Sequence, residues 1–293
     1  MNNFPSIIFP LPGNEQLTQG LIAGRDATVG EMTLRNFPDG ETYVRVLCDV
    51  ADKHVAVVCA LHHPDSKLLP LYFLCRLLKD LHAASVTLVA PYLAYMRQDT
   101  QFNSGEAVTS QYMASLLSSF VDRLVTIDPH LHRRHTMSEI YNVPCNVIHA
   151  SKAISDWIRA NVPDAVVVGP DEESGERAAQ VAQEAGVPYI VLEKVRHGDR
   201  DVEVSVPDVD QYRNYTPVLV DDIISTARTM MATVKHLVEA KMKPPVCIGV
   251  HAVFAGSAYW DLERSGAGRI ITCNTIPHPS NWIDVSGLLA AGM

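Results

Sequence analysis

The sequence predicts an α/β protein made of two domains of similar build, each with a mostly parallel central sheet flanked by helices. Three observations carry that expectation. Apolar runs of strand length alternate with longer segments of helical periodicity along the chain, as βαβ units require. The alternation begins again near residue 150. Several polar clusters follow directly on apolar runs, where an open parallel sheet presents its carboxyl edge to ligands. With 293 residues, 47% of them hydrophobic, the chain can bury two cores. The expected division is 1–148, 149–283 and a closing segment, 284–293, packed on the first domain.

Taken in order, residues 7–11 read as the first strand. They are too few and too poor in basic residues for a signal peptide or a membrane span. Residues 55–60 form a strand, and the leucine-rich stretch 67–81 a buried helix with Pro70 near its start, where proline is tolerated. The strand 86–90 delivers the segment 91–99 (PYLAYMRQD) to the sheet edge. A helix over 110–119, a strand over 124–127 and the polar run 128–135 follow. In the second half the spacing predicts helix 151–160, strand 165–168, the polar turn 169–175, helix 176–185 and strand 189–192. Residues 194–216 are dense in charge and read as a polar hairpin or flap. The apolar run 218–220 ends in Asp221 and Asp222 and passes through a hydroxyl-bearing turn, Ser225 to Thr229, into a helix that ends near 240. Strand 246–253, helix 259–264 and strand 269–273 complete the pattern.

Composition narrows the function. A formal charge of -9 excludes a broad nucleic-acid surface, which needs clustered Lys and Arg, but leaves room for a small anion held by a few cations. The six cysteines are scattered without CxxC spacing, as expected of reduced thiols in a cytoplasmic protein.

The turn after Asp221 and Asp222 is the segment richest in chemistry. Backbone N–H groups at a helix start suit a phosphate, and adjacent carboxylates suit vicinal hydroxyls or magnesium. An ordinary strand-turn-helix with a hydroxyl cap has the same letters. Phe37, Asp39 and Glu41 combine an aromatic face with two carboxylates, enough to stack a base, or simply to form a hairpin turn. Arg97 and Gln98 offer a guanidinium fork and an amide for phosphate oxygens. His130 and His132 would point to opposite faces of an extended segment, so zinc is disfavoured there. Lys194 and Arg196 open the charged flap, as cations that could close over a polyphosphate. The chain lacks GxxxxGK[ST], the HRD and DFG motifs of protein kinases, and a GxGxxG after the first strand.

Together VLVDDIISTARTM, NFPDGE, PYLAYMRQD, the Asp128-to-His130 segment, EKVR and the closing TIPHPSNWIDVSGLLA resemble, in order and separation, the ribose-phosphate diphosphokinase family. The resemblance implies two type I phosphoribosyltransferase-like domains, with ATP on the N-terminal side and ribose 5-phosphate on the C-terminal side. It implies transfer of the diphosphoryl group of ATP to the anomeric hydroxyl, with Mg2+ as cofactor. By the same resemblance, Phe37, Asp39, Glu41, Arg97, Gln98 and His130 would bind ATP, the first three often from a neighbouring subunit. Asp221, Asp222, Ser225, Thr226, Ala227, Arg228 and Thr229 would bind ribose 5-phosphate. His130 and Asp171 would serve the metal, and Lys194 and Arg196 would stabilise the transition state. A homo-oligomer with a dimer as minimum unit is implied, with no nucleic-acid or membrane partner. Three departures stand out: Arg228 where the family usually has glycine or another small residue, Thr100 where a basic residue commonly follows the RQD triplet, and Glu172-Glu173-Ser174 after Asp171 in place of a glycine pair. If position 228 needed a positive φ, a long side chain there would cost about 1 kcal/mol or more. The alternatives are a catalytically silent regulatory homologue and a phosphoribosyltransferase.

Overall fold

The computed structural model describes residues 4–131, 133–169, 172–191, 193–197, 201–205 and 209–293; within these, the side chains of 172–174, 176, 191, 193–197, 201–205 and 209–210 are not described. The chain divides into two compact units. The first comprises Met1–Ile148 with Thr275–Pro277 and Ser286–Met293; the second comprises His149–Asn274 and His278–Val285.

In the first unit the elements run β1 (Ile7–Pro10), α1 (Glu15–Ile22), β2 (Thr28–Val29), β3 (Met32–Asn36), β4 (Thr42–Val46), β5 (His54–Val58), α2 (Asp65–Asp80), β6 (Ser85–Ala90), α3 (Thr109–Ser118), β7 (Arg123–Ile127) and β8 (Cys145–Ile148). In the second they run α4 (Ser151–Asn161), β9 (Ala165–Gly169), α5 (Glu172–Ala185), β10 (Tyr189–Val191), β11 (Glu193–His197), β12 (Asp201–Ser205), β13 (Thr216–Ile224), α6 (Arg228–Glu239), β14 (Val246–Ala252), α7 (Ala258–Arg264), β15 (Arg269–Cys273) and β16 (Asn281–Ile283). The closing helix α8 (Ser286–Ala291) returns to the first unit.

The two units have the same topology. One six-stranded sheet has the order β2-β1-β5-β6-β7-β8 and the other β10-β9-β13-β14-β15-β16, with parallel neighbours throughout. In each, the second strand lies outside the first, and the chain then crosses back to place the third on the first strand's other side. Each also carries an antiparallel hairpin of five-residue strands between its second and third sheet strands, β3–β4 in one and β11–β12 in the other. The duplication expected from the pattern is therefore visible in connectivity, although no residue-level repeat is.

Central strands covered on both faces must be apolar at every position, not at alternate ones. Val55 to Val58, Val166 to Val168 and Val218 to Val220 are all fully buried. Each such side chain contributes about 1.5–3 kcal/mol. Helix α2 begins at Asp65, two residues before the expected start, so Pro70 is its sixth residue and lies beyond the first turn, where its missing N–H removes a helical hydrogen bond. α8 is tied to the first unit through the chain end: Arg123 donates to the carbonyls of Met293 and Gly292 at 2.7 and 3.1 Å, and Asn146 to Gly292 at 2.8 Å. No helix among the described residues is long and apolar enough to cross a membrane. All six cysteines are free thiols.

Strand order reverses between β1 and β5, and there the segments that follow the two strands bond to each other. Asn14, only 3% exposed, accepts the Ala60 N–H at 2.9 Å and donates to the Leu11 carbonyl at 2.9 Å. The Lys67 ammonium donates to the Ala60 carbonyl at 2.8 Å and contacts the His62 ring. Burial and then the Lys67 charge push the His62 pKa down from 6.5 to about 4. An imidazole kept neutral in the folded state takes up its proton in the unfolded chain first. Its contribution is thus fully present above about pH 6.5 and declines as the pH falls from 6.5 towards 4. The His62→Gln variant is expected to show a shallower loss of stability over that window, measured by urea unfolding at a series of pH values. An unchanged slope would contradict the assignment.

Candidate active site

The corresponding reversal in the second unit lies between β9 and β13, and it is built differently. Among the described residues β13 pairs with β9 from Thr216 to Leu219, whereas its ladder with β14 extends to Ile224. Its last five residues therefore project beyond the β9 ladder, at the crevice where doubly wound sheets bind ligands. Asp221 and Asp222 lie on this projecting part, inside the strand and not after it as expected from the sequence. Both are half-buried. The Asp221 carboxylate accepts the Asp222 N–H at 2.9 Å, and the Asp222 carboxylate accepts the Ile223 N–H at 2.8 Å. Strand alternation starts the two side chains from opposite faces of β13.

Next to it, the loop after β14 holds the turn in place. The Phe254 and Ala255 N–H groups donate to the carbonyls of Ile224 and Ser225 at 2.9 and 3.1 Å. Ile224 is buried against Gly249, where an added Cβ would lie 2.6 Å from the isoleucine Cγ1. Ala227 occupies the cap position of α6 in a left-handed conformation, φ 56°, and its methyl group cannot cap the helix. The first-turn N–H groups of α6 thus lack intrahelical partners and carry the positive end of the helix dipole, with the hydroxyls of Ser225, Thr226 and Thr229 close in sequence. Thr226, Arg228 and Thr229 are exposed.

This corrects the expectation about Arg228. The positive φ falls one residue earlier, at Ala227, and Arg228 is an ordinary first-turn helical residue. Its side chain strains nothing in the backbone. The cap position itself is held by Ala227 and not by one of the hydroxyl-bearing residues that the same letters offered.

In the first unit the expected residues fall on three loops. Phe37, Asp39 and Glu41 sit at the exposed tip of the β3–β4 hairpin, closed by hydrogen bonds from Phe37 N–H to the Glu41 carbonyl, 2.7 Å, and from Gly40 N–H to the Phe37 carbonyl, 2.9 Å. The Asp39 carboxylate accepts the Glu41 N–H at 3.2 Å. The Arg35 guanidinium packs over the rings of Phe37 and Tyr43, 4.8 and 4.4 Å from their centroids. Arg97 is exposed and Gln98 half-buried on the loop after β6, and the Gln98 amide donates to the Thr100 carbonyl at 3.3 Å and to Glu106 at 3.4 Å. His130 is half-buried after β7, two residues from the buried Asp128, whose φ is 35°. Lys194 and Arg196 occupy β11, opposite Val204 and Val202 in the hairpin register; their side chains, like Asp171 and His132, lie outside the described residues. Among the described residues no group of three or more His, Cys, Asp or Glu could hold a metal ion.

Sequence comparison joins these parts. Residues 6–120 match the N-terminal domain of ribose phosphate pyrophosphokinase, and residues 136–286 the phosphoribosyl transferase domain. A ribose-phosphate pyrophosphokinase from Methanothermobacter thermautotrophicus is 34% identical over 258 residues, covering 87% of this chain and 88% of the relative. The chain belongs to the ribose-phosphate pyrophosphokinase family. Another family member, from Sulfolobus acidocaldarius, is 32% identical over 85% of this chain and 86% of its own. The crystal structure of phosphoribosylpyrophosphate synthetase from Mycobacterium smegmatis superposes with a TM-score of 0.83 at 27% identity, over 97% of this chain and 96% of that one. The α/β fold expected from the sequence, with its phosphoribosyltransferase-type domain, agrees with these findings.

Sequence reasoning overlooked Gly249 and the 254–255 loop, which fix the turn through packing and main-chain hydrogen bonds that no local pattern marks. The position of the strain can be tested. A non-glycine residue in the left-handed region costs about 1–2 kcal/mol. Ala227→Gly is therefore expected to raise stability by about 0.5–1 kcal/mol, net of the entropy that glycine adds to the unfolded chain. Arg228→Gly is expected to lower it by up to about 1 kcal/mol. Equilibrium unfolding in urea measures both, and the reverse order would place the strain at residue 228.

Proposed function

We propose that this protein transfers the diphosphoryl group of ATP to the anomeric hydroxyl of ribose 5-phosphate, giving phosphoribosyl diphosphate and AMP. The observation that carries the reading is the α6 N-terminus, with an alanine at its cap position, beside Asp221 and Asp222 on β13, in a chain of this family. The first-turn N–H groups with Ser225, Thr226, Ala227, Arg228 and Thr229 take the 5-phosphate, while Asp221 and Asp222 accept hydrogen bonds from the ribose hydroxyls. Arg97, Gln98 and His130 hold the ATP phosphates, and Phe37, Asp39 and Glu41 meet adenine from a neighbouring subunit of a homo-oligomer.

The anomeric oxygen forms a bond to the β-phosphorus as the bond from that phosphorus to the α,β-bridging oxygen breaks, and AMP leaves with the electron pair. No protein nucleophile is needed. Catalysis consists of alignment and charge neutralisation, the second supplied by Lys194 and Arg196. Magnesium prefers oxygen ligands and is commonly held by one or two carboxylates together with substrate phosphates, so a preformed cage is not required. The half-buried Asp221 and Asp222 fit that donor chemistry; Asp171 is the further carboxylate that would hold the ion, and His130 would serve its phosphate ligands. When bound, the ion supplies charge neutralisation on the transferring diphosphoryl group.

With ATP, magnesium and ribose 5-phosphate, the purified protein is expected to release AMP in step with phosphoribosyl diphosphate, read by anion-exchange chromatography. Lys194→Ala is expected to lower kcat by about 100-fold or more while ATP binding changes little. ADP as the only nucleotide product would sink the proposal.

A further inference from the structure

The loop that carries Arg97 and Gln98 runs from the end of β6 at Ala90 to the start of α3 at Thr109, far longer than the few residues that usually join such elements. Loops of that length keep one shape only when something organises them. Here one organiser is internal. The Glu106 carboxylate accepts the N–H groups of Phe102 and Asn103 at 2.8 and 3.0 Å, the Asn103 amide at 2.6 Å and the Gln98 amide at 3.4 Å. These bonds hold its pKa below the usual carboxylate range.

The second organiser comes from the loop after β7. Asp99, adjacent to Gln98, has a side chain only 4% exposed, and the Arg133 guanidinium donates to it at 2.9 Å. Arg133 also lies over the Phe102 ring, 5.3 Å from its centroid. Arg134 donates to the Asp99 main-chain carbonyl at 3.4 Å and approaches Glu139 at 4.0 Å, with its own side chain only 14% exposed. Glu139 is itself fixed by the His135 and Thr136 N–H groups at 2.7 and 3.1 Å. The Arg134 Nε is buried with no hydrogen-bond partner among the described residues, although a buried donor normally has one. A guanidinium held with one donor unsatisfied is a poor choice for stability alone and a reasonable one for holding a neighbouring loop.

We propose that Arg133 and Arg134 are positioning residues: by gripping Asp99 through its side chain and its main chain, they set where Arg97 and Gln98 stand at the sheet edge. The inference rests on the reading that these two residues meet the ATP phosphates. A carboxylate buried beside a phosphate site would repel the nucleotide unless it were neutralised, and Arg133 supplies that neutralisation. The gripping arginines follow His130 by three and four residues, so one loop both offers its own polar group and shapes its neighbour.

Steady-state kinetics with each substrate varied in turn test this. Arg134→Ala and Arg133→Ala are each expected to raise the KM for ATP by about tenfold while the KM for ribose 5-phosphate stays within about twofold. Arg134→Lys, which can bond the Asp99 carbonyl but cannot fork, is expected to recover part of the loss. Arg133→Ala combined with Asp99→Asn is expected to cost less than the sum of the two single effects. An unchanged KM for ATP in the exposed Arg133→Ala variant, equal changes in both KM values, or strict additivity would each overturn the proposal. Arg97→Ala separates the two layers. If it leaves the KM for ATP unchanged, the underlying reading of this loop fails as well; if it raises that KM while Arg133→Ala and Arg134→Ala do not, only the positioning role fails.

Discussion

The reversal of strand order in a parallel sheet is the constraint on which the rest of this protein depends. Parallel strands present all their carboxyl ends on one edge, and where the chain turns from building outward on one side to building on the other, the two loops diverge and leave a crevice. In the second unit β13 extends past the β9 ladder at that point, so its acidic pair and the following turn stand at the crevice. The turn must then enter α6 at once, and a left-handed Ala227 makes that possible at some conformational cost. The same arrangement puts an alanine at the α6 cap position, where a hydroxyl or carboxylate side chain would stabilise the helix by about 1 kcal/mol.

The first unit shows what the same topology does without that demand. At the same place Asn14 and Lys67 both bond the Ala60 backbone, and Lys67 contacts His62. Polar groups at this unit's sheet edge are found instead on the loops after β6 and β7, where Asp99, Arg133 and Arg134 couple the two loops. Two copies of one connectivity have thus been put to different uses through a handful of side chains, with the sheets unchanged.

Much of this was legible in the sequence. Strands such as Val55 to Val58 and Val218 to Val220 announce themselves because burial on both faces demands an unbroken apolar run. Short or interrupted elements did not. β8 carries Asn146, α1 spans two turns, and β16 and α8 follow a proline-rich stretch, so none has a period long enough to read. At the site, the identities of Asp221, Asp222 and the hydroxyl turn were visible, but the placement of the strain was not. The sequence does not show which residue between strand and helix, if any, takes a positive φ, because that depends on where β13 releases the chain; the structure puts it at Ala227. The grip of Arg133 and Arg134 on Asp99 was illegible for another reason: the partners are more than thirty residues apart, and nothing local marks them as a pair.

The central claim is that the crevice beside β13 is a sugar-phosphate site whose anion lies on the α6 N-terminus. A crystal structure of the protein with ribose 5-phosphate tests it most directly. The account predicts phosphate oxygens within hydrogen-bond distance of main-chain N–H groups in the 225–230 segment and ribose hydroxyls on Asp221 or Asp222. A phosphate bound elsewhere, with that helix N-terminus left to solvent, would contradict it.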